Sequence, residues 1–350
     1  MKAPDAAAYA AAVARQAILT KPGGALGRLE ALSAWVCAVQ GQCPPRQFTH
    51  PALVIFAGDH GVARTAGTSA YPPEVTAQMV ANFVIGGAAA NVLARQVGAT
   101  VSVVDVSVDA DPEYLSALDP TVAARRVRRA SGSIDREDAM TLDEAERALD
   151  VGRQLAREAT RSNADILIPG DMGIGNTTPS AVLIGLLTES AAAAVTGRGT
   201  GIDDDGLARK TATVAAAMAR GQAVVGSPME LLAMVGGPNL AAVTGYLLEG
   251  ANLGTPVVLD GVVSCAAALV ARALEPDAAN WWVAGHQSTE PAARRALQAL
   301  GLTPILDLEL RLGEGTGALL ALPVLNAAAA TLAEMATFES AGVSGREPDA

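Results

Sequence analysis

Six short apolar runs rich in β-branched residues recur along the chain, each closing on glycine or a polar cluster: ALVIFAGDHG, TVSVVDVSVD, ADILIPGDMG, PVVLDGVV, WWVAGHQS and TPILDLELRLGEG. Ala-rich stretches of helical pattern lie between them. Near-continuous apolar strands alternating with helices predict an α/β fold, Rossmann-like, with a mostly parallel sheet covered by helices on both faces. Ligands of such sheets bind outside the carboxyl ends of the strands, and the polar clusters all fall there. The first forty residues carry no strand pattern and read as two helices, 5–18 and 24–40, broken at KPGG. The stretch 108–162 is charged and helical, and reads as a surface excursion before the strand near 165. LNAAAATLAEMATF is a last helix with no strand after it. It can pack on the N-terminal helices, so residues 1–45 together with 322–350 are expected to form a small helical domain, and 46–321 a large α/β catalytic domain. The tail from Ser340 to Ala350 is expected to be disordered.

Composition narrows the function. The hydrophobic share of 50% is mostly Ala and Val, with aromatics at 3%, so the core is built of small residues in close contact. A net charge of −11 argues against nucleic acid or an anionic membrane surface as partner, since both require a basic footprint. No run of about 18 apolar residues is free of Gly, Pro or charge, and the N-terminus lacks the apolar centre of a signal peptide. A cytoplasmic location follows as the expectation. Cys37, Cys43 and Cys265 have no metal or redox spacing and read as free thiols. The lysines are Lys2, Lys21 and Lys210, so an anion site must use Arg, backbone amides or Lys210.

Four clusters carry candidate chemistry. RLGEGTGA sets Glu314 between Gly313 and Gly315 at a strand-to-helix turn; glycine permits the tight path, and the carboxylate is either a solvated loop group or a site group facing a closely approached ligand. In PGDMGIGNTTPS, Thr178 and Pro179 read as an N-cap and first helical residue, which places GIGNTT at the positive end of a helix dipole. Amides there suit a phosphate, and Asn176 replaces the lysine of a P-loop, so a monophosphate fits better than a triphosphate. GRGTGIDDDGLARK adds a second glycine loop, capping acids Asp203 to Asp205, and Lys210, which is either on a solvated face or at the same phosphate. AGHQSTEP repeats the capping pattern at Ser288 or Thr289, with His286 at a strand end as a polar wall or hydrogen bonder and not a metal ligand. YPPEVTAQMV starts a helix near the same crevice, and LDG supplies Asp260 at another strand end.

In this order, AGDHGV, YPPEVTAQMV, GDMGIGNTT, GRGTG with its downstream lysine, LDG, GHQSTEP and RLGEGTGA resemble, across nearly the whole chain, the nicotinate-nucleotide:dimethylbenzimidazole phosphoribosyltransferases of cobalamin synthesis. The resemblance implies transfer of phosphoribosyl from nicotinate mononucleotide to 5,6-dimethylbenzimidazole, a homodimer, and neither metal nor organic cofactor. It puts the general base on Glu314, with Asp171 beside it. Nucleotide and phosphate contacts fall on Gly173, Ile174, Gly175, Asn176, Thr177, Gly199, Gly201, Lys210, Asp260 and Ser288. Tyr71, Gln78, Met172 and Leu312 would line the acceptor-base pocket. Some members have glutamate where Asp171 stands, and the shorter reach puts a back-up base role in doubt. Transfer to another base or a phenol, or a non-catalytic nucleotide-binding protein, are the alternatives.

Overall fold

A computed structural model describes residues 1–344. Contacts divide the chain into two units, one of Met1 with His50–Leu320, the other of Lys2–Thr49 with the chain from Ala321 onward.

The larger unit is built on five parallel strands, β1 (Pro51–Gly58), β2 (Thr100–Ser107), β3 (Ile166–Met172), β4 (Val257–Leu259) and β5 (Trp282–Ala284), in the order β2-β1-β3-β4-β5. All eight residues of β1 are buried, as are Ile166 to Ile168 and Val257 to Leu259, which accounts for their uninterrupted apolar sequence. β2 runs at one edge, and its first half alternates between exposed and half-buried. The chain leaves β1 toward β2 and returns to the other side for β3, so a topological switch lies between β1 and β3, the usual mouth of a binding crevice.

Two expectations fail. The sixth apolar run is not a strand: Ile305 N–H and Leu306 N–H donate to Ala284 O and Gly285 O, and one bridge joins His286 to Leu306, but no ladder continues. Pro304 has no N–H to donate, and Glu309 takes a left-handed φ of 56°, so the pairing is interrupted and only scattered bonds such as Thr289 N–H to Leu310 O follow. The stretch 108–162 is likewise not merely a surface excursion. The helix Leu142–Arg161, started by the Thr141/Glu144 capping box, buries Ala145, Ala148, Leu149, Gly152, Leu155 and Ala156. It lies against the buried helix Pro238–Leu253 in backbone contact: a Cβ at Gly152 would collide with Ala242 O, and one at Gly245 with Leu149 O.

In the smaller unit, the helices Ala6–Ile18 and Arg28–Gln40 stand close to the predicted bounds, the first capped by Asp5. Ala8, Ala12, Leu19, Ala34, Cys37 and Leu332 form its core, and Arg15 donates to the carbonyls of Leu332 and Ala333. Ser340 and Ala341 close the short helix Phe338–Ala341, against the disorder expected from Ser340; residues 345–350 lie outside the described residues. The stretch Glu74–Val97 and the helix Thr316–Glu334 match a membrane span in length and apolarity. The first is two helices, Glu74–Val84 and Ala89–Val97, both shorter than the roughly 20 residues a span requires, and 56% of the second's apolar window is buried within the fold.

Candidate functional site

The site is assembled where β3, β4 and β5 end. After the extended segment beside β5, the chain turns through Gly313, Glu314 and Gly315 with φ of 79°, 61° and 84°, and then enters the helix Thr316–Glu334. Three consecutive left-handed residues suit glycine, and Glu314 is the one that bears a Cβ. The turn crosses β3 so closely that a Cβ at Gly170 would lie 2.9 Å from the Glu314 carbonyl. Glu314 is 4% exposed, which decides between the two sequence readings: it is not a solvated loop acid. Its Oε2 is buried without a hydrogen-bond partner. Burial, and then the charge of Asp260, push its pKa up to about 7.

Asp260, at the end of β4, holds that turn. Its Oδ2 accepts from Gly315 N–H at 3.0 Å, and its Oδ1 from Gly317 and Ala318 N–H at 2.9 and 3.1 Å. These amides belong to the first turn of the helix that follows Glu314, so the carboxylate also meets the positive end of that helix. His286 Nε2 stands 3.5 Å from the same Oδ1. Burial alone would raise the Asp260 pKa, but His286 and the amides outweigh it and hold it below the usual carboxylate value. Burial likewise disfavours the imidazolium, yet Asp260 keeps His286 above its ordinary value.

Asp171, at the end of β3, is buried between two carboxamides: Asn176 Nδ2 donates to Oδ1 and Asn239 Nδ2 to Oδ2, each at 2.7 Å. Burial pushes its pKa up to about 6 against these two bonds. The helix expected to have Thr178 as N-cap and Pro179 as its first residue starts two residues earlier, spanning Thr177–Leu187 with Asn176 at its N-cap. Asn176 does not cap it, because its side chain is turned to Asp171. The preceding turn is bound to the end of β1: a Cβ at Gly173 would collide with Gly58 O, and Ile174 N–H donates to Thr76 Oγ1 at 3.0 Å. The Ile174 amide is thus already engaged. His60, which packs below this turn, is held neutral by burial, its pKa pushed down to about 4.

The second glycine loop is tied to the same place by three side chains. Lys210 is fully buried on the helix Asp204–Gly221, and its Nζ donates to Thr177 Oγ1 at 2.7 Å and Gly197 O at 3.0 Å. Burial pushes its pKa down to about 8, partly offset by Glu290. Glu290 Oε1 accepts Gly199 N–H at 2.9 Å, Arg311 donates to Gly199 O at 2.6 Å, and Gly201 N–H donates to Arg198 O. Asp203 caps its helix as read, accepting from Gly206 N–H. In AGHQSTEP the N-cap is Glu290 instead of Ser288 or Thr289, and Ser288 Oγ accepts the Glu290 N–H.

A cleft that opens to solvent lies between these groups. Asp171, Asn176, Thr177, Asp260, Ser288, Leu312 and Glu314 line it, as do Glu290 and Arg311, which the sequence did not single out. Lys210 and Gly199 adjoin it through Thr177. Tyr71 and Gln78 are exposed and, with Met172, Gly173, Ile174 and Gly175, do not line it. The arrangement offers a buried carboxylate whose pKa is pushed toward neutrality, a second carboxylate oriented by amides, and a buried ammonium beside a hydroxyl-bearing helix start. It suits proton removal from a ligand whose anionic end is held near Lys210.

The model of a phosphoribosyltransferase family matches residues 1–343. A nicotinate-nucleotide–dimethylbenzimidazole phosphoribosyltransferase of Mycobacterium tuberculosis is 58% identical over 99% of this chain and 94% of its own. That of Mycobacterium marinum is 56% identical over 100% of this chain and 96% of its own. The crystal structure of the corresponding protein from Thermus thermophilus superposes with a TM-score of 0.90 at 45% identity, covering 98% of this chain and 100% of the other.

Proposed function

Because the chain belongs to the family of nicotinate-nucleotide–dimethylbenzimidazole phosphoribosyltransferases, we propose that Glu314 is the general base of a phosphoribosyl transfer in assembly of the cobalamin lower ligand. The enzyme moves phosphoribosyl from nicotinate mononucleotide to 5,6-dimethylbenzimidazole, giving α-ribazole 5′-phosphate and nicotinate. One observation carries the base assignment: Glu314 lines the cavity, and its buried Oε2 has no hydrogen-bond partner.

The chemistry requires little else. One ring nitrogen of the benzimidazole attacks the ribosyl carbon as the bond to the cationic nicotinate nitrogen breaks and its electron pair returns to that ring. The leaving group departs with a neutral ring and needs no acid. The proton on the acceptor's other nitrogen passes to Glu314. In-line attack inverts the ribosyl carbon, which gives the α linkage. Asp171, oriented by Asn176 and Asn239, faces the positive charge that develops on the ribose. Lys210 donates two of its three N–H groups to Thr177 Oγ1 and Gly197 O; the third serves the donor phosphate, with Thr177 and Ser288 nearby. We place the enzyme in the cytoplasm as a homodimer acting on two small molecules, with neither nucleic acid nor membrane as partner; the exposed apolar side chains of Tyr71, Ile85 and Leu312 support the association.

Incubation with nicotinate mononucleotide and a panel of benzimidazoles, purines and phenols, with mass detection of products, tests the activity; no new nucleotide with any acceptor rejects it. Lys210→Met is expected to weaken nicotinate mononucleotide binding about 10- to 100-fold, the range for a lost hydrogen bond to a charged group, at nearly unchanged affinity for the base. Calorimetric titration of each substrate checks this, and an unchanged donor affinity removes Lys210 from the phosphate. The rate should fall below about pH 7 as Glu314 protonates, since a raised pKa keeps the inactive acid form to higher pH.

A further inference from the structure

We infer that His286 is a positioning residue for Glu314, acting through Asp260: as imidazolium it pairs with the carboxylate that clamps the glycine turn, and shields Glu314 from that carboxylate's charge. The inference rests on the assignment of Glu314 as base.

The geometry is direct. Asp260 receives the N–H groups of Gly315, Gly317 and Ala318, so it fixes the backbone immediately after the base. His286, 1% exposed, approaches the same carboxylate at 3.5 Å and packs on Gly317, where any Cβ would collide with the ring. The imidazole thus touches both the clamp and the clamped turn. A buried carboxylate with no cation beside it would repel Glu314 and favour its own protonation, which would weaken its hold on the three amides. The imidazolium prevents both. Other titratable groups around the pair are few: Cys265, on the helix Val262–Leu274 that follows Asp260, is kept a neutral thiol by burial and by the Asp260 charge. Asp171, Glu290 and Arg311 face the same cavity as Glu314, and Asp307 acts on His286 from the extended segment, favouring its charged form. None of them touches the Asp260 clamp.

The test compares pH profiles of kcat/KM between about pH 5 and 9 for the wild type, Glu314→Gln, His286→Ala and His286→Gln. Glutamine retains an N–H donor for Asp260 but no charge, so it separates charge from packing. The acid limb is expected to move up by roughly half to one pH unit in both His286 variants, because the Asp260 charge then acts unshielded on Glu314. Melting temperature should fall chiefly in His286→Ala. A limb absent from the residual activity of Glu314→Gln but unmoved in His286→Gln overturns the positioning role and leaves the base assignment intact. A limb that persists in Glu314→Gln overturns the base assignment and the inference with it. Imidazole resonances of the wild type, which has 3 histidines, provide a reading without substitution: a His286 ring that is neutral at about pH 6.5 overturns the inference.

Discussion

Replacing Glu314 by glutamine is expected to lower kcat by roughly 10²- to 10⁴-fold, about 3 to 5.5 kcal/mol in the barrier, while leaving the affinity for nicotinate mononucleotide within a few-fold of wild type. Glutamine matches the shape of the side chain but cannot take the acceptor's proton. The donor's anionic end is held elsewhere, near Thr177 and Lys210, so binding should survive. The fold should survive too, because a neutral amide at this buried position removes a repulsion with Asp260 instead of adding one. Steady-state turnover and calorimetric donor affinity, measured on one preparation, decide the matter. Undiminished turnover rejects Glu314 as base, and a parallel loss of donor affinity would show that the carboxylate binds substrate instead.

Gly245→Ala should destabilise the larger unit by at least the upper end of the usual 1–3 kcal/mol for overpacking, roughly a 5–10 °C fall in melting temperature. The added methyl meets Leu149 O, a main-chain atom of the facing helix that cannot rotate away, and Gly152 makes the reciprocal approach to Ala242 O. The helices must therefore part, opening a gap between Ala145, Ala148, Ala241 and Ala242, all of them buried. Asn239 begins the same helix and orients Asp171, so kcat should fall as well. Gly226→Ala is the control: its Cβ has open space and its backbone needs no left-handed φ, so its effect should stay within about 0.5 kcal/mol. Calorimetric melting of both variants checks the pair, and similar curves would show that the helix contact relaxes without cost.

Much of this was legible in the sequence, and what was not has a common cause. Five of the six apolar runs are strands because strands buried on both faces cannot alternate; Asp171 and Asp260 stood out because glycine marks strand ends, and Glu314 because glycines flank it. Lys210 was ambiguous: a lone lysine on a helix is ordinarily solvated, and its burial depends on Thr177 and Gly197, which lie 33 and 13 residues away. Glu290 gave no site signal, since its partner is the amide of Gly199, 91 residues away. Asn239 and Arg311 gave no local signal at all, since their partners, Asp171 and Gly199, are joined to them only by the fold. The amides of Ile174 and Gly199 were expected to be open to an anion because the sequence does not reveal Thr76 and Glu290 already holding them.

The left-handed backbone of Glu314 has an evolutionary consequence. At a φ of 61° a side chain carries a penalty on the order of 1–2 kcal/mol that glycine escapes, and the buried carboxylate adds its own desolvation. Selection that rewarded only a sturdier protein would drift toward glycine at this position, and a stability-guided redesign would make the same choice. The acid is therefore retained against the preference of its own main chain, and lineages released from the need for turnover should lose it early.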